Sequence, residues 1–442
     1  MSRGRVVGLA ASGASLLALT VLGLVFQSQG NIDRFLAVAA LQAVVYVAAV
    51  WLGWGGGLPR RIVVGIVAVA GLMRVPVVCA PPYLSDDIYR YVWDGRVEAN
   101  GINPYRYAPA DPQLKALRDS DIFPHIASKY APTIYPPVAE GIFLIVTRFG
   151  ESVTVMKSAM VAFEIVVVIL LVRLLALGDL PTSRILVYAW HPLPLWEFAG
   201  SGHIDAALIA LSVAALWAAR RGHGPAGGLF LAGATLTKLY PAVLLPALYR
   251  RWGWKMPMAF AAAIVVAYLP FIAVGSRVLG FLPGYAVENG FDGGGAGLYL
   301  LGLLHHVPAL AGLSARAYEA AALAILAALG IGVLFGRASA LSPMMPAAAI
   351  ATAFMLLVSP HYAWYFAWLI VFACFIRSFA LLWLTNACLL LYLIPGGVII
   401  AGDARQFVIE SIIYGPFAAL ALLDLWYCRR RATGSSCACR FA

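Results

Sequence analysis

The chain has 442 residues, of which 62% are hydrophobic and 12% are charged, and its mean hydropathy is +0.86. This balance lies far outside the usage of soluble proteins and predicts an integral membrane protein. The formal net charge of +11 comes from short Lys and Arg clusters between apolar runs, where the positive-inside rule expects them, so it indicates topology and excludes a nucleic-acid partner.

Apolar runs close to the ~20 residues that cross a hydrocarbon core recur along the chain, and about fourteen segments can be counted. The predicted fold is all-α, a polytopic transmembrane bundle of about 11–14 helices with amphipathic interfacial helices in its outer loops. Basic clusters place both termini on the cytoplasmic side. The predicted order is N-terminal transmembrane helices (1–79), an outer loop with an acidic motif and interfacial helices (80–152), a transmembrane core with broken helices (153–275), a second outer loop (276–315), C-terminal transmembrane helices (316–428) and a cytoplasmic basic tail (429–442).

The first outer loop begins with the acidic motif "SDDIYRYVWDGRVEANG". Ser85 is placed to cap a helix whose first turn holds Asp86 and Asp87, where carboxylates suit the helix dipole. The helical spacing of its apolar residues predicts that the helix lies flat on the membrane surface, seated by Tyr89, Tyr91 and Trp93. The two carboxylates then lie at the lip of any cavity below, as a general base or metal ligands, unless the motif is only a capped helix.

Two further motifs, "WEFAGSGHIDA" and "TLTKLYP", bring ionisable side chains into apolar segments. His203 and Asp205 follow two glycines at the outer end of a helix, with Glu197 one turn earlier. They lack a further ligand at metal spacing, which favours a hydrogen-bonded pair that recognises a sugar hydroxyl or a phosphate over a metal site. Lys238 lies in a turn between two short apolar arms, where it either snorkels to the interface or pairs with an anion such as phosphate.

The motif "SPHYAWYF" places His361 at the start of another helix on the outer side, within reach of the same anion, although its aromatics also suit an interfacial belt. The predicted topology therefore puts most of the unusual polar residues at one level, in the outer leaflet or just above it. A cluster of ionisable groups at membrane depth predicts a functional site. That level also includes Glu288 and Asp292 of the second outer loop. The sequence has no P-loop and no strand-borne GxGxxG motif for a nucleotide.

Together these motifs, with "GINPY" and "YPP", resemble the GT-C glycosyltransferases that use polyprenyl-phosphate sugars, especially their bacterial mannosyltransferase branch. The resemblance covers most of residues 80–370. It implies an inverting, single-displacement transfer of a hexose, with mannose favoured, at the outer face of the bacterial plasma membrane. The partners it implies are the lipid-linked donor, membrane lipids and a glycolipid or glycan acceptor. No cofactor is expected, and dependence on a divalent metal stays open on the sequence alone.

The resemblance also implies roles for individual residues. Asp87 is favoured as the general base by its register in "DIY", and Asp86 remains the alternative. Expected to bind the donor phosphate are Lys238, His361 and Arg90. Expected to contact the sugar or the acceptor are Glu197, His203, Asp205, Tyr135, Tyr240, Glu288 and Tyr365.

Two other functions remain open on the sequence alone. A lipid-linked sugar transporter or flippase would also be polytopic, with charges near the midplane and broken helices. A non-catalytic subunit of an envelope-assembly complex would use the acidic loop to dock a partner.

Overall fold

The computed structural model describes residues 3–55, 58–249, 253–288, 298–336, 343–394 and 404–434. Over these residues the chain is helical and forms no β-strand. Short 3₁₀ segments and a π-helical turn at Leu195–Gly200 join several of the α-helices. The α-helices are α1 (Arg3–Ser28), α2 (Ile32–Trp54), α3 (Arg60–Cys79), α4 (Asp87–Ala99), α5 (Pro137–Thr147), α6 (Val153–Leu177), α7 (Leu186–Ala189), α8 (Pro192–Pro194), α9 (Asp205–Arg220), α10 (Gly224–Thr235), α11 (Leu245–Leu248), α12 (Lys255–Tyr268), α13 (Leu282–Glu288), α14 (Tyr299–His305), α15 (Ala315–Phe335), α16 (Met344–Val358), α17 (Leu369–Ala373), α18 (Phe379–Ala387) and α19 (Ala404–Gly434).

Seven helical stretches within the described ranges are long and apolar enough to cross a membrane. They are Arg3–Ser28, Ile32–Trp54, Arg60–Cys79, Val153–Leu177, Lys255–Glu288, Ala315–Phe335 and Ala404–Tyr427. Shorter apolar helices, such as α16, accompany them. The predicted all-α, polytopic membrane fold is confirmed, while the side on which each terminus lies remains a prediction.

A broken helical stretch runs through the centre of the bundle. Every residue from 183 to 199 is buried, although this part of the chain changes from 3₁₀ to α to π geometry. Neighbouring helices supply hydrogen bonds for its backbone: the Tyr46 hydroxyl donates to the Val187 carbonyl at 2.8 Å, and an Arg74 N–H donates to the Ala189 carbonyl at 3.1 Å. Irregular backbone is tolerated at membrane depth only when protein groups satisfy it in this way.

Arg74 also forms a buried ion pair that joins three elements. Its guanidinium donates to both carboxylate oxygens of Glu164, at 2.6 and 3.0 Å, so the pairing is bidentate. Arg74 belongs to α3, Glu164 to α6, and the Ala189 carbonyl to α7. A buried charge is tolerated when it is paired and fully hydrogen-bonded, as it is here.

The turn around Lys238 was predicted to separate two short apolar arms, and the structure confirms this. Helix α10 ends at Thr235, and a 3₁₀ segment, Tyr240–Leu244, leads into α11. The turn is fixed to the first outer loop because the Leu236 carbonyl accepts the amide protons of Val138 (3.0 Å) and Ala139 (3.2 Å). These are N-terminal amides of α5, which have no partner within their own helix.

Helix α4 forms in the acidic motif as predicted, but the prediction that Tyr91 and Trp93 seat it in the membrane is wrong. Tyr91 and Trp93 were expected to seat it in the membrane, and both are almost completely buried inside the protein. Tyr89 is partly buried and stacks on His125 of the first outer loop. The loop folds back over the helix and is held there by Arg96, which binds Asp119, Glu151 and the Leu117 carbonyl.

Helix α4 packs backbone to backbone against α5 at Gly95. A Cβ atom at this position would lie 2.4 Å from the Phe143 carbonyl oxygen, a distance that side chains do not adopt. Since the obstacle is backbone, α5 would have to shift away from α4.

We expect Gly95→Ala to destabilise the protein by about 1–3 kcal/mol through overpacking, measured as a lower unfolding midpoint in detergent. Gly141→Ala in α5 is the matched control, because a Cβ atom there has nothing within 4 Å. That variant should be neutral or slightly more stable, since alanine favours the helix. Equal midpoints for the two variants would contradict the close packing of α4 on α5.

Candidate active site

A cavity of about 1040 Å³, including its open mouth, lies where the motifs singled out in the sequence converge. It is lined by Leu84, Ser85, Asp87, Ile134, Tyr135, Lys238, Tyr285, His361, Tyr362, Ala363, Trp364, Tyr365, Leu391, Tyr392 and Ile394. Its wall is largely apolar and aromatic with a few ionisable groups, as the walls of small-molecule sites usually are.

Asp87, the first residue of α4, faces this cavity. Its backbone N–H donates to the Ser85 hydroxyl at 3.2 Å, but the N-cap residue of α4 is Asp86 and not the predicted Ser85. Burial raises the pKa of Asp87 to about 6, with Lys238 opposing the rise and Asp205 and Asp86 adding to it. A carboxylate with that pKa is ionised at neutral pH and is a better proton acceptor than an ordinary aspartate.

Two other charged residues of the acidic motif do not line the cavity. Asp86 is exposed at the N-cap position of α4. Arg90, which was expected to bind the donor phosphate, instead holds Asp94 through its Nε at 2.8 and 2.9 Å and the Ala131 carbonyl through Nη1 at 3.0 Å. Neither side chain therefore belongs to the cavity wall.

Lys238 lines the cavity and is paired with a buried carboxylate behind it. Its Nζ donates to Asp205 Oδ2 at 2.7 Å, and the Tyr240 hydroxyl donates to Asp205 Oδ1 at 3.1 Å. The ammonium also lies 4.5 Å from the ring centroid of Tyr365, which is within cation–π range. Asp205 and Tyr240, expected to contact sugar or acceptor, thus support Lys238 from outside the cavity wall, whereas Tyr365 belongs to the wall.

Glu197 and His203 were also expected to contact the sugar, yet both are fully buried and neither lines the cavity. The His203 ring lies between carboxylates, with Nδ1 at 3.7 Å from Asp87 Oδ2 and Nε2 at 3.4 Å from Glu197 Oε2. The hydroxyl of Tyr392 donates to Glu197 at 2.8 Å. Both residues therefore lie directly behind the cavity.

His361 lines the cavity as expected of a phosphate ligand, and neither of its ring nitrogens has a hydrogen-bond partner among the described residues. Its Nδ1 lies 3.7 Å from Glu410 Oε1. Sequence reasoning missed Glu410, which lies 49 positions away on α19, and the wall residues Tyr285 and Tyr392. No local pattern marks them, since each enters from an otherwise apolar helix.

The remaining predicted site residues fall at different places. Tyr135 lines the cavity, whereas Glu288 lies outside it and accepts a hydrogen bond from the Tyr130 hydroxyl. Asp292 and the cysteine-containing tail lie outside the described residues. Within the described part of the chain, no group of three or more His, Cys, Asp or Glu side chains is arranged to hold a metal ion.

Comparison with known proteins identifies one family and one curated relative, each of which matches about half of the chain. The family described as alpha-(1->6)-mannopyranosyltransferase, N-terminal domain, matches residues 2–254. Alpha-(1->6)-mannopyranosyltransferase A of Mycobacterium tuberculosis is 24% identical over 241 residues, which cover 51% of this chain and 46% of that protein. The chain thus spans about half the length of the curated relative it matches. No solved structure matches it.

The Lys238–Asp205 pair allows a test of the site's electrostatics. We expect Asp205→Ala to lower the free energy of unfolding by about 3–5 kcal/mol, because it leaves a largely buried ammonium without its partner. The double variant with Lys238→Met should be less destabilised than Asp205→Ala alone. Unfolding midpoints of the two single variants and the double variant measure this coupling.

A surface pair provides the control for that cycle. Glu151 binds Arg96, but its side chain is 42% exposed. Glu151→Ala should therefore change the free energy of unfolding by no more than about 1 kcal/mol. Additive effects at Lys238 and Asp205 would contradict the pairing.

Proposed function

The chain belongs to the alpha-(1->6)-mannopyranosyltransferase family, within the GT-C mannosyltransferase-like branch, and on this premise we propose that it is a membrane mannosyltransferase. The proposed donor is a polyprenyl-phosphate mannose, and the acceptor is a hydroxyl of a glycolipid or glycan. The proposed site faces the outside of a bacterial plasma membrane, and the reaction uses no cofactor.

The observation that carries the proposal is the presence of one carboxylate and two potential cations on the same cavity wall. Asp87 provides a base, while Lys238 and His361 provide hydrogen-bond donors for an anion. A lipid phosphate has the chemistry that those donors would bind. The aromatic and aliphatic remainder of the wall suits a donor that combines a sugar with a lipid.

In the proposed reaction, the acceptor hydroxyl loses its proton to Asp87 as its oxygen attacks the anomeric carbon of mannose. The bond between that carbon and the phosphate oxygen breaks, and the polyprenyl phosphate leaves with the electron pair. Lys238 and His361 stabilise the negative charge that develops on the leaving group. Attack opposite the leaving group inverts the anomeric configuration in a single displacement.

Asp87 is preferred to Asp86 as the base because Asp87 lines the cavity and Asp86 is exposed. Arg90 is left out of the phosphate site because Asp94 binds its Nε. Of the residues expected from the sequence, only those that line the cavity are therefore assigned a part in the reaction.

The proposal is tested by incubating purified protein with polyprenyl-phosphate mannose, the corresponding glucose donor and a nucleotide mannose, with membrane glycolipid acceptors and with or without chelator. Mass spectrometry should detect one added hexose only from the lipid-phosphate mannose, and chelator should not change the yield. Transfer from the nucleotide sugar, or movement of the lipid donor across vesicles without product, would contradict the proposal.

In the same assay, we expect Asp87→Asn to lower the rate by about 10²- to 10⁴-fold, the usual contribution of a general base. Asp86→Asn is the matched control, since it makes the same change one residue earlier on an exposed side chain, and it should retain most of the activity. The opposite result would assign the base to Asp86. Thermal unfolding of both variants verifies that they are folded.

The pH dependence follows from the pKa of Asp87, which burial raises to about 6. Only the ionised form accepts the proton, so kcat/KM should be level above that pH and fall about tenfold per unit below it. A pH–rate profile of the wild-type enzyme measures this limb. A profile that stays level down to pH 4.5 would show that a group with an ordinary aspartate pKa, or no carboxylate, controls the rate.

A further inference from the structure

A fully buried imidazole connects the cavity-facing carboxylate to a second, enclosed one. His203 Nδ1 lies 3.7 Å from Asp87 Oδ2, and its Nε2 lies 3.4 Å from Glu197 Oε2. His203 is completely buried, and neither ring nitrogen has a closer hydrogen-bond partner among the described residues. Two buried ring nitrogens that face carboxylates and nothing else need an explanation, because an unpaired buried polar atom is costly.

The ring is held in place from both its face and its backbone. Trp364 stacks on it with ring centroids 3.8 Å apart and planes inclined by 21°. The His203 backbone N–H donates to the Glu197 carbonyl at 3.0 Å. The orientation of the imidazole toward the two carboxylates is therefore built into the fold.

The preceding glycine brings this ring close to α4. Gly202 has a φ of +75°, which glycine adopts without strain, and a Cβ atom there would lie 2.2 Å from Ile88 Cδ1. Ile88 directly follows Asp87 in the first turn of α4. The chain at Gly202 thus packs directly on the Ile88 side chain of α4, and the next residue, His203, lies beside the Asp87 carboxylate.

We propose, as a consequence of the proposed function, that His203 is a positioning residue for Asp87. A neutral imidazole has one N–H and one acceptor nitrogen. When the proton is on Nδ1, this N–H points at Asp87 Oδ2. The other carboxylate oxygen of Asp87, Oδ1, is then left to face the acceptor hydroxyl. Nε2 then faces a proton on Glu197, whose other contacts come from the Tyr392 hydroxyl.

The separations of 3.4 and 3.7 Å are longer than hydrogen bonds, and they shorten when substrate fills the cavity and excludes water. Because His203 does not line the cavity, it acts through Asp87 and does not touch the substrate. The other charged groups that act on Asp87 are Lys238, Asp205 and Asp86, and they remain in place when His203 is changed.

The test compares His203→Phe and His203→Gln with the wild type in the mannosyl-transfer assay. His203→Phe keeps the stacking on Trp364 but removes both nitrogens. We expect it to lower kcat by about 10²-fold, the cost of a poorly oriented reacting group, with an unchanged KM for the donor. The acid limb of the pH profile of kcat should move to higher pH, since the hydrogen bond that the ionised carboxylate accepts in the substrate complex has been lost.

His203→Gln retains an N–H donor at the same level, so it should recover part of kcat and return the acid limb toward its wild-type position. His191→Phe is the matched control, because His191 is equally buried but binds Thr385 and the Leu193 amide, and it does not line the cavity. It should lower the unfolding midpoint and leave the acid limb unmoved.

Wild-type kcat in His203→Phe would overturn the proposal. An unmoved acid limb in both His203 variants would also overturn it, because the role would then be structural, as at His191. If His203→Phe does not fold, the position of the acid limb in His203→Gln alone decides: a limb at the wild-type pH overturns the proposal. Failure of the proposed function is recognised separately, by absence of transfer in the wild type or full activity in Asp87→Asn.

Discussion

The structure depends on one constraint: a helix that breaks inside a bilayer must find protein partners for its freed backbone groups. The broken stretch from 183 to 199 meets this constraint by lying entirely within the bundle. Tyr46 and Arg74, from the surrounding helices, bind its carbonyls. Because the break is satisfied there, the chain can leave it at Gly202 and start α9 with Asp205 beside the cavity.

The same constraint explains why ionisable side chains that line the cavity have further ionisable side chains packed behind them. Lys238, which lines the cavity, is neutralised by Asp205 behind it. Asp87, also on the wall, is backed by His203 and Glu197. Lys238 and Asp87 are thus each backed by buried groups that do not line the cavity. This arrangement keeps both side chains in place and holds the buried ammonium next to a carboxylate, as burial requires.

The sequence predicted the fold class, because hydropathy and basic clusters are local signals. It also singled out five of the residues that line the cavity, namely Asp87, Tyr135, Lys238, His361 and Tyr365. Asp87, Lys238 and His361 were recognised because charge is rare in this chain. The sequence did not predict which residues line the cavity and which support them from behind, because it cannot show that His203 and Asp205 face away from the cavity. Contacts such as Tyr392 to Glu197 join residues 195 positions apart, and no spacing rule identifies them.

The prediction that Tyr91 and Trp93 seat α4 in the membrane failed for a related reason. The pattern of apolar and polar residues was interpreted as one face in lipid and one in water. Protein covers both faces: Tyr91 stacks on Phe143 of α5, and the first outer loop covers the polar face, where the Ala131 carbonyl accepts from Arg90 and Asp119 binds Arg96. A periodic pattern describes the two faces of a helix, but it does not say whether water or protein covers the polar one.

The carbonyl of Leu236 has a consequence for motion. It accepts two amide protons from α5, so the turn that carries Lys238 is tied to the helix that follows Tyr135. A domain hinge between these segments would have to break both hydrogen bonds at once. An opening of the cavity that keeps these two hydrogen bonds carries the Lys238 turn and the Tyr135 segment together.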